Sequence, residues 1–579
     1  MRGAAVLVAG GLVAAACGGD GAGSRDDGGN GVEQRAVDED QEGTTSTTDA
    51  DDARWGNIVR GPQVSDEEPV RGSSIVVALE AETNSYLPSA STASRAGANV
   101  AYAVFDPLVT RDANGELRPY LAEAVEPNGD YTEWTLRLRP GVRFHDGTPL
   151  DAEALERIWD DYLTTGPVTR SATRFVERME RVDELTVTYV MTEPNPSFPE
   201  LLELQIGWPF SPDAADRLGD EFGERPVGTG PFRFVSWQRD GDLVVERNDD
   251  YWQDGQPYLD EITFRVIPDE ATRAASLASG DVDAVQTGEL SSFVAQLADI
   301  DDATVVLGLG HQASGVRFNT TEPPTDDVRI RRALTHAVDQ QALLEVAAGE
   351  AAELSEVRTQ FFPADSPFYS DAVADAWPRH DPARARQLYN DYVDDPGRSD
   401  GKAVGQPVSL TLDTLNTPSA IELGNAYKGF FEAVGFDVTV QPLELSQRTM
   451  TAVTDNYQAQ IGIQGRAHSP LGEFLFAYDD PERVITNLTN FHDEKVADVI
   501  ARLRITGDPD RQAELAEEFG LYLAEQVPFQ WTASDLTLVA AKNRVRGLRS
   551  WTFPDGTLGD GVLPSVAFWG QVWLGNDTG

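Results

Sequence analysis

A single cysteine occurs in 579 residues, which excludes an internal disulfide and any Cys₄ or Cys₂His₂ zinc site. Lysine occurs only at Lys402, Lys428, Lys495 and Lys542, and all basic residues together number 46 against 96 acidic ones. With a formal charge of −50, the chain lacks the Lys and Arg excess that phosphate neutralisation needs, so nucleic acid is excluded as a partner. Docking by charge on an anionic lipid surface is disfavoured for the same reason. The charge exceeds the ~2–8 of a typical small domain and suits high solubility or a saline medium. Six histidines, at His145, His311, His336, His380, His468 and His492, show no ligand spacing such as H-E-x-x-H, so no metal is expected. Also missing are a G-x-S-x-G elbow, an S-x-x-K nucleophile and a Walker loop. Gly308-Leu309-Gly310 lacks the third glycine of a dinucleotide loop, having Ala313 there, and reads as a turn near a strand end. Acidic pairs such as Asp301-Asp302 and Asp326-Asp327 read as solvated or capping groups in so acidic a chain. Nothing points to an enzyme, and no cofactor is expected.

What is present begins at the amino terminus. Met1-Arg2 gives a short positive start, and Ala4 to Ala16 is a small-residue apolar run of signal-peptide length. The ending Leu12-Val13-Ala14-Ala15-Ala16-Cys17 resembles a bacterial lipoprotein box, with Ala14 where leucine is usual. Residues 1–17 are therefore expected to be a leader whose Cys17 is lipidated. Several acyl chains are what stable anchoring requires. Residues 18–70 follow with fourteen acids, four arginines and few apolar side chains. Such a segment cannot bury enough surface to offset ordering entropy, so it reads as a disordered, self-repelling tether. No later apolar run reaches the length of about 18 residues that a membrane helix needs.

The body alternates strand and helix patterns. Ser74-Ile75-Val76-Val77-Ala78-Leu79 reads as a buried strand. Trp134, Leu136 and Leu138 alternate with polar neighbours as a half-buried strand. Leu155, Ile158, Trp159 and Tyr162 recur at helical spacing after Asp151, as do Ile330, Leu334 and Val338 after Asp326-Asp327. Leu423, Tyr427, Phe430 and Val434 form a helix stripe closed by Gly435, with the strand Phe436–Val440 directly behind it. The class is α/β or mixed α+β. At about 100–200 residues per unit, the length suggests three to five structural units.

Several segments together resemble a known family. They are Arg118-Pro119-Tyr120-Leu121-Ala122-Glu123, the run Trp134 to Gly147 containing Arg143-Phe144-His145-Asp146-Gly147, and Val227-Gly228-Thr229-Gly230-Pro231-Phe232. In order there follow Asn248-Asp249-Asp250-Tyr251-Trp252, Leu277-Ala278-Ser279-Gly280-Asp281-Val282-Asp283, Phe318-Asn319 with Pro323-Pro324, Asp327 to Leu334 and Asp381 to Leu388. The ordered set resembles the family-5 solute-binding proteins, extracytoplasmic receptors of ABC importers for peptides, nickel and oligosaccharides. The resemblance implies a two-lobed periplasmic-binding-protein-like clamshell of the large oligopeptide-binding type, with an extra inserted domain. Lobe one would comprise 71–104, 212–312 and 531–579, the inserted helper domain 105–211, and lobe two 313–530. It also implies a monomer held by its lipid at the outer face of the cytoplasmic membrane, handing a small solute to permease and ATPase subunits. Most of the quoted motifs read physically as scaffold: Trp134 and Phe144 as core anchors, Asp146 as a turn or cap, His145 as a local hydrogen-bonder, and Gly141, Gly147 and Gly228 as turns or close approaches.

The ligand is approached by the same resemblance. Peptide-binding relatives carry a G-W-x-x-D-x-x-D-P segment whose Asp grips the peptide's α-ammonium. The matching stretch here is Gly462-Ile463-Gln464-Gly465-Arg466-Ala467-His468-Ser469-Pro470. Ile463 then stands for the Trp, Arg466 for the ammonium-binding Asp and Ser469 for the second acid. Arg466 would repel an ammonium in a closed cleft, yet it suits a bidentate contact with a carboxylate, a phosphate or a sugar hydroxyl. The family resemblance favours a peptide or peptide-like compound as the solute, with an oligosaccharide or an anionic compound as the alternative. Glu82, Asn84 and Tyr86, after the first strand, are placed where α/β sheets present residues to a crevice. Gln464 and His468 flank Arg466, and Trp531 stands where the chain re-enters lobe one, either stacking on a ligand or filling the hinge core. A secreted enzyme or a ligand sensor on the same scaffold is the competing function.

Overall fold

The computed structural model describes residues 55–91, 94–164, 173–287, 292–465, 468–481, 486–562 and 566–575. Cys17 and Arg466 lie outside them. The main sheet is built from β1 (Ile58–Arg60), β2 (Ser74–Leu79), β3 (Phe232–Trp237), β4 (Asp242–Arg247), β5 (Glu261–Val266), β6 (Ala284–Thr287), β7 (Ala303–Phe318), β8 (Ser409–Leu415), β9 (Asp437–Leu443), β10 (Ala459–Gln464) and β11 (Phe529–Lys542). Ten run in the order β9-β8-β10-β7-β11-β6-β2-β5-β4-β3, and β1 pairs with β7. The class is mixed, as the alternating patterns imply: β2 is parallel to β5 and β6, whereas β7 is antiparallel to both β10 and β11.

Two long strands join the lobes. β7 has 16 residues and β11 has 14, against the ~5–6 of an ordinary strand, because each serves one lobe with its first half and the other lobe with its second. Their mutual register is regular from Ala303↔Lys542 to Leu309↔Leu536, then resumes at Ala313↔Ser534 after an irregularity. Gly308-Leu309-Gly310 therefore belongs to a crossing strand beside this break and is not a turn. The nearby Gly315 is needed for close approach, since a Cβ there would lie 1.9 Å from the Gln530 carbonyl oxygen.

Among the described residues, three hydrophobic clusters form the core. The first holds Ile75, Val77, Phe264, Trp551 and Trp569 together with Trp134, Leu136, Trp159 and Phe198 from the inserted segment. Four of the insertion's strands, Ala122–Pro127, Glu133–Leu138, Thr186–Met191 and Val176–Arg181, form one antiparallel sheet. That sheet shares one core with the surrounding lobe. The second core unites Phe318, Leu334, Tyr427, Phe474, Phe519 and Trp531. A third lies between, where Leu344, Ala348 and Leu354 pack on Val305, Leu297 and Leu536. This stretch of the expected lobe two thus turns its apolar face onto strands that continue into lobe one. The expected tether also gives way early, with Ile58–Arg60 already paired parallel to Val305–Leu307 because Trp55 and Ile58 pack on the third core.

Local signals read from the sequence have physical counterparts. Asp327, of the two candidate caps, accepts from the Arg329 N–H at the start of Val328–Ala337. Gly435 ends Pro418–Val434 at φ 130°, a backbone angle that favours glycine. Trp134 and Phe144 are buried. His145 is held between the Gly230 carbonyl (2.9 Å) and the Gly228 N–H (3.3 Å), and Asp146 accepts from Ser211 (2.6 Å) and Thr148. Among the described residues no helix is long and apolar enough to cross a membrane.

Candidate functional site

Among the described residues, contacts between the lobes include one at the strand crossing and one at the far rim. At the crossing, Arg95, in the first turn of the helix Arg95–Val104, donates to Gln312 Oε1 on β7 (2.7 Å) and pairs with Asp535 on β11. Burial pushes the Asp535 carboxyl up, and Arg95 opposes the shift. At the far rim, the inserted segment touches lobe two. Ser197 Oγ lies 2.8 Å from Ser469 Oγ, and Glu193 pairs with Arg504 at 3.2 Å. Glu200 belongs to the same contact. Burial pushes its carboxyl up to about 7, against Arg111 and a hydrogen bond from Ser469. Ser469 is also the N-cap of Pro470–Ala477, so the residue standing for the second acid of the peptide motif acts here as a helix cap and interlobe contact.

Beside the crossing is a cavity of about 80 Å³. Gln312 from β7, Ile463 and Gln464 at the end of β10, Gly465, and the helix Leu445–Val453 contribute to its wall. Two guanidinium groups also face it. Arg317, opposite Gln460 in the β7–β10 ladder, is 7% exposed and donates to the Ile463 carbonyl at 3.0 Å. Arg448 is 6% exposed and donates to the Ile461 carbonyl at 2.8 Å. Gly462 makes room for the first: a Cβ there would lie 2.3 Å from Arg317 Nη2. Burial lowers the pKa of both guanidiniums, that of Arg448 to about 10 with Arg317 as the second cause. An opposing charge acts on Arg448 from Asp413, which is buried and pushed up to about 6 by desolvation. It accepts from Thr451 (3.4 Å), and among the described residues neither arginine forms an ion pair.

Of the described residues read from sequence as ligand-facing, Gln464 lines this cavity. Glu82 and Asn84 stay together on lobe one around Arg239, which lies 3.5 Å from the Glu82 carboxylate and donates to the Asn84 carbonyl (3.2 Å). Tyr86 is 5% exposed against Trp237 at 4.9 Å and borders a second, smaller cavity with Gly97 and Trp208. Trp531 is 1% exposed, packed on Phe529 (4.6 Å) and Phe361 (4.7 Å). Of its two sequence readings, this position is that of a core filler. His468 is described, at the turn before Ser469, and Arg466 is not. Sequence reasoning missed Arg317 and Arg448. A charged side chain within the apolar alternation of β7 was a signal for the first. Arg448, in an ordinary-looking helix, gave none.

A family model described as bacterial extracellular solute-binding proteins, family 5, middle region, matches residues 116–483. The chain belongs to this family. It is a solute-binding protein of the family-5 ABC importers, and its relatives bind solutes rather than transform them. An extracytoplasmic location goes with that membership. The glutathione-binding protein GsiB of Salmonella paratyphi A is 26% identical over 470 residues, 79% of this chain and 88% of that one. GsiB of Pectobacterium atrosepticum is 31% identical over 293 residues, 50% of this chain and 55% of the relative. Among solved structures, AgaA of A. tumefaciens in complex with agropinic acid superposes with a TM-score of 0.73 at 23% identity, covering 87% of this chain and 99% of that one. AppA of Bacillus subtilis in complex with a nonapeptide gives 0.71 at 19% identity, with 88% and 100% covered. At these identities the two structures establish the fold: the periplasmic-binding-protein architecture expected from the sequence.

Proposed function

We propose that this chain captures a small peptide-like solute between its lobes and releases it unaltered to an importer's permease. The observation that carries the reading is the cavity beside the lobe crossing. Its wall contains the end of β10, where peptide-binding relatives hold their ligand, and Gln312, which is fixed by Arg95 from lobe one. A solute touching both lobes stabilises the closed state by its differential affinity for that state, and expelling water strengthens its polar contacts. The glutathione-binding relatives support a short peptide bearing carboxylates. In this reading Gln464, Arg466 and His468 face the solute from lobe two, and Glu82 and Asn84 from lobe one, while Tyr86 and Trp531 are buried core side chains. The protein acts as a monomer, carried on its acidic tether by a lipid at Cys17.

Thermal denaturation with glutathione, di- and tripeptides and oligosaccharides tests the solute class. A saturable rise in Tm is expected for a short peptide, equivalent to about 2.7 kcal/mol at a concentration 100 times Kd. Rises with oligosaccharides alone would remove the peptide reading, and consumption of the solute would remove the non-catalytic one. Anchoring is tested by Cys17→Ser, expected to move the chain from the membrane fraction to the medium; continued membrane association would defeat it.

A further inference from the structure

We infer that the cavity lined by Arg317 and Arg448 is a carboxylate subsite, receiving an anionic group of the solute that enters beside Gln464. The inference rests on solute capture at the lobe crossing and deepens it by naming the chemistry the site selects. Its starting point is an imbalance of charge. Two guanidiniums, each more than nine-tenths buried, donate to main-chain carbonyls, Arg317 to Ile463 and Arg448 to Ile461. Burying cations without enough counter-charge is costly, and against these two Asp413 supplies a single opposing carboxylate, which acts on Arg448 without an ion pair to either arginine and is itself held by Thr451.

The void adjoins these same groups. It offers about 80 Å³, too little for a whole peptide and enough for a carboxylate with a few waters. Arginine presents a planar fork of donors that matches a carboxylate in two bonds. Each side chain is already braced by a main-chain acceptor, so little conformational entropy remains to be lost on binding. The backbone is shaped around one of them. Gly462 has no Cβ, and a Cβ there would occupy the place of Arg317 Nη2. A solute carboxylate would supply the charge the fold leaves unbalanced, so binding and closure reinforce each other electrostatically. A neutral or cationic group at this position would gain nothing.

The test is thermal denaturation of the intact chain titrated with succinate and with glutathione, each against NaCl of matched ionic strength. It is run on the native sequence, Arg448→Gln and Gly462→Ala. A saturable succinate-dependent rise is expected for the native chain. Arg448→Gln should weaken it at least tenfold while its own unliganded Tm stays level or rises, since an uncompensated buried charge is gone. Gly462→Ala should weaken it without changing net charge, and it decides alone if Arg448→Gln fails to fold. The subsite is overturned if succinate gives the native chain no rise beyond NaCl, or if both variants respond to it as the native chain does. An Arg448→Gln chain that melts far below native yet binds succinate normally would mark Arg448 as structural. A succinate response without a glutathione response keeps the subsite and removes the peptide reading. A glutathione response unchanged in both variants does the reverse.

Discussion

Asp106 shows what a single buried side chain contributes. It is 2% exposed and accepts from Tyr251 Oη (2.9 Å) and Trp252 Nε1 (2.8 Å), while its own N–H donates to Thr229 Oγ1 (3.3 Å). The family motif Asn248-Asp249-Asp250-Tyr251-Trp252 thus owes its two aromatics to an acceptor more than 140 residues earlier in the chain. Burial pushes the carboxyl up to about 7 against these hydrogen bonds. Asp106→Ala strands two buried donors and is expected to cost roughly 2–4 kcal/mol, whereas Asp106→Asn keeps an acceptor and costs less than about half of that. Urea denaturation at constant slope reads the difference. Equal losses for the two variants would mean that the carboxylate charge, and not its acceptor role, matters.

Between elements, the inserted segment reaches lobe two, and opening the lobes would part this contact. Glu200 lies there with Ser197 and Ser469, with Arg111 and Glu203 as charged neighbours and the Glu193–Arg504 pair joining the same two bodies. Its carboxyl is pushed up from 4.5 to about 7 by burial. The closed state therefore holds a proton that an opened, hydrated Glu200 releases, so closure is favoured below pH 7 and loosens as pH rises through it. Solution scattering should show a larger radius of gyration at pH 8.5 than at pH 6, and Glu200→Gln should abolish the change. A variant that keeps the native pH response would locate the titrating group elsewhere.

At the scale of the whole molecule, charge sets the response to salt and pH. A net −50 repels itself, and raising NaCl shortens the reach of that repulsion to about 8–10 Å at 0.1–0.15 M. Stability is expected to rise with salt. Asp106, Asp413, Glu200 and Asp560 all have carboxyls raised by burial, to about 7, 6, 7 and 7. The folded chain therefore binds more protons than the unfolded one between their ordinary values and these, and stability rises as pH falls from 8 to about 6. Below 6.5 His145 works the other way. Burial lowers it to about 4, so the unfolded state gains the proton first. Calorimetric midpoints over pH 5–8.5 and 0–1 M NaCl check both trends. Midpoints highest at pH 8 or falling steadily with salt would contradict them.

Much of this was legible in one dimension. Alternation in Glu133–Leu138 fixed which face is buried, the Asp327 and Gly435 signals bounded helices, and the ordered motifs named the family, because such features depend on neighbours within a few residues. The charge balance and the lack of catalytic motifs depend on composition and were equally plain. The cavity wall was another matter. Gln464 was singled out by register with a relative and lines the cavity, but Arg317 and Arg448 meet only because a strand pairing and a helix more than 100 residues apart place both guanidiniums against it. Trp531 could have faced a ligand or a core until the aromatic cluster around it was built. Local backbone preference and side-chain polarity are properties of sequence; which charges share a low-dielectric space, and whether each finds a counter-charge, is decided by packing alone.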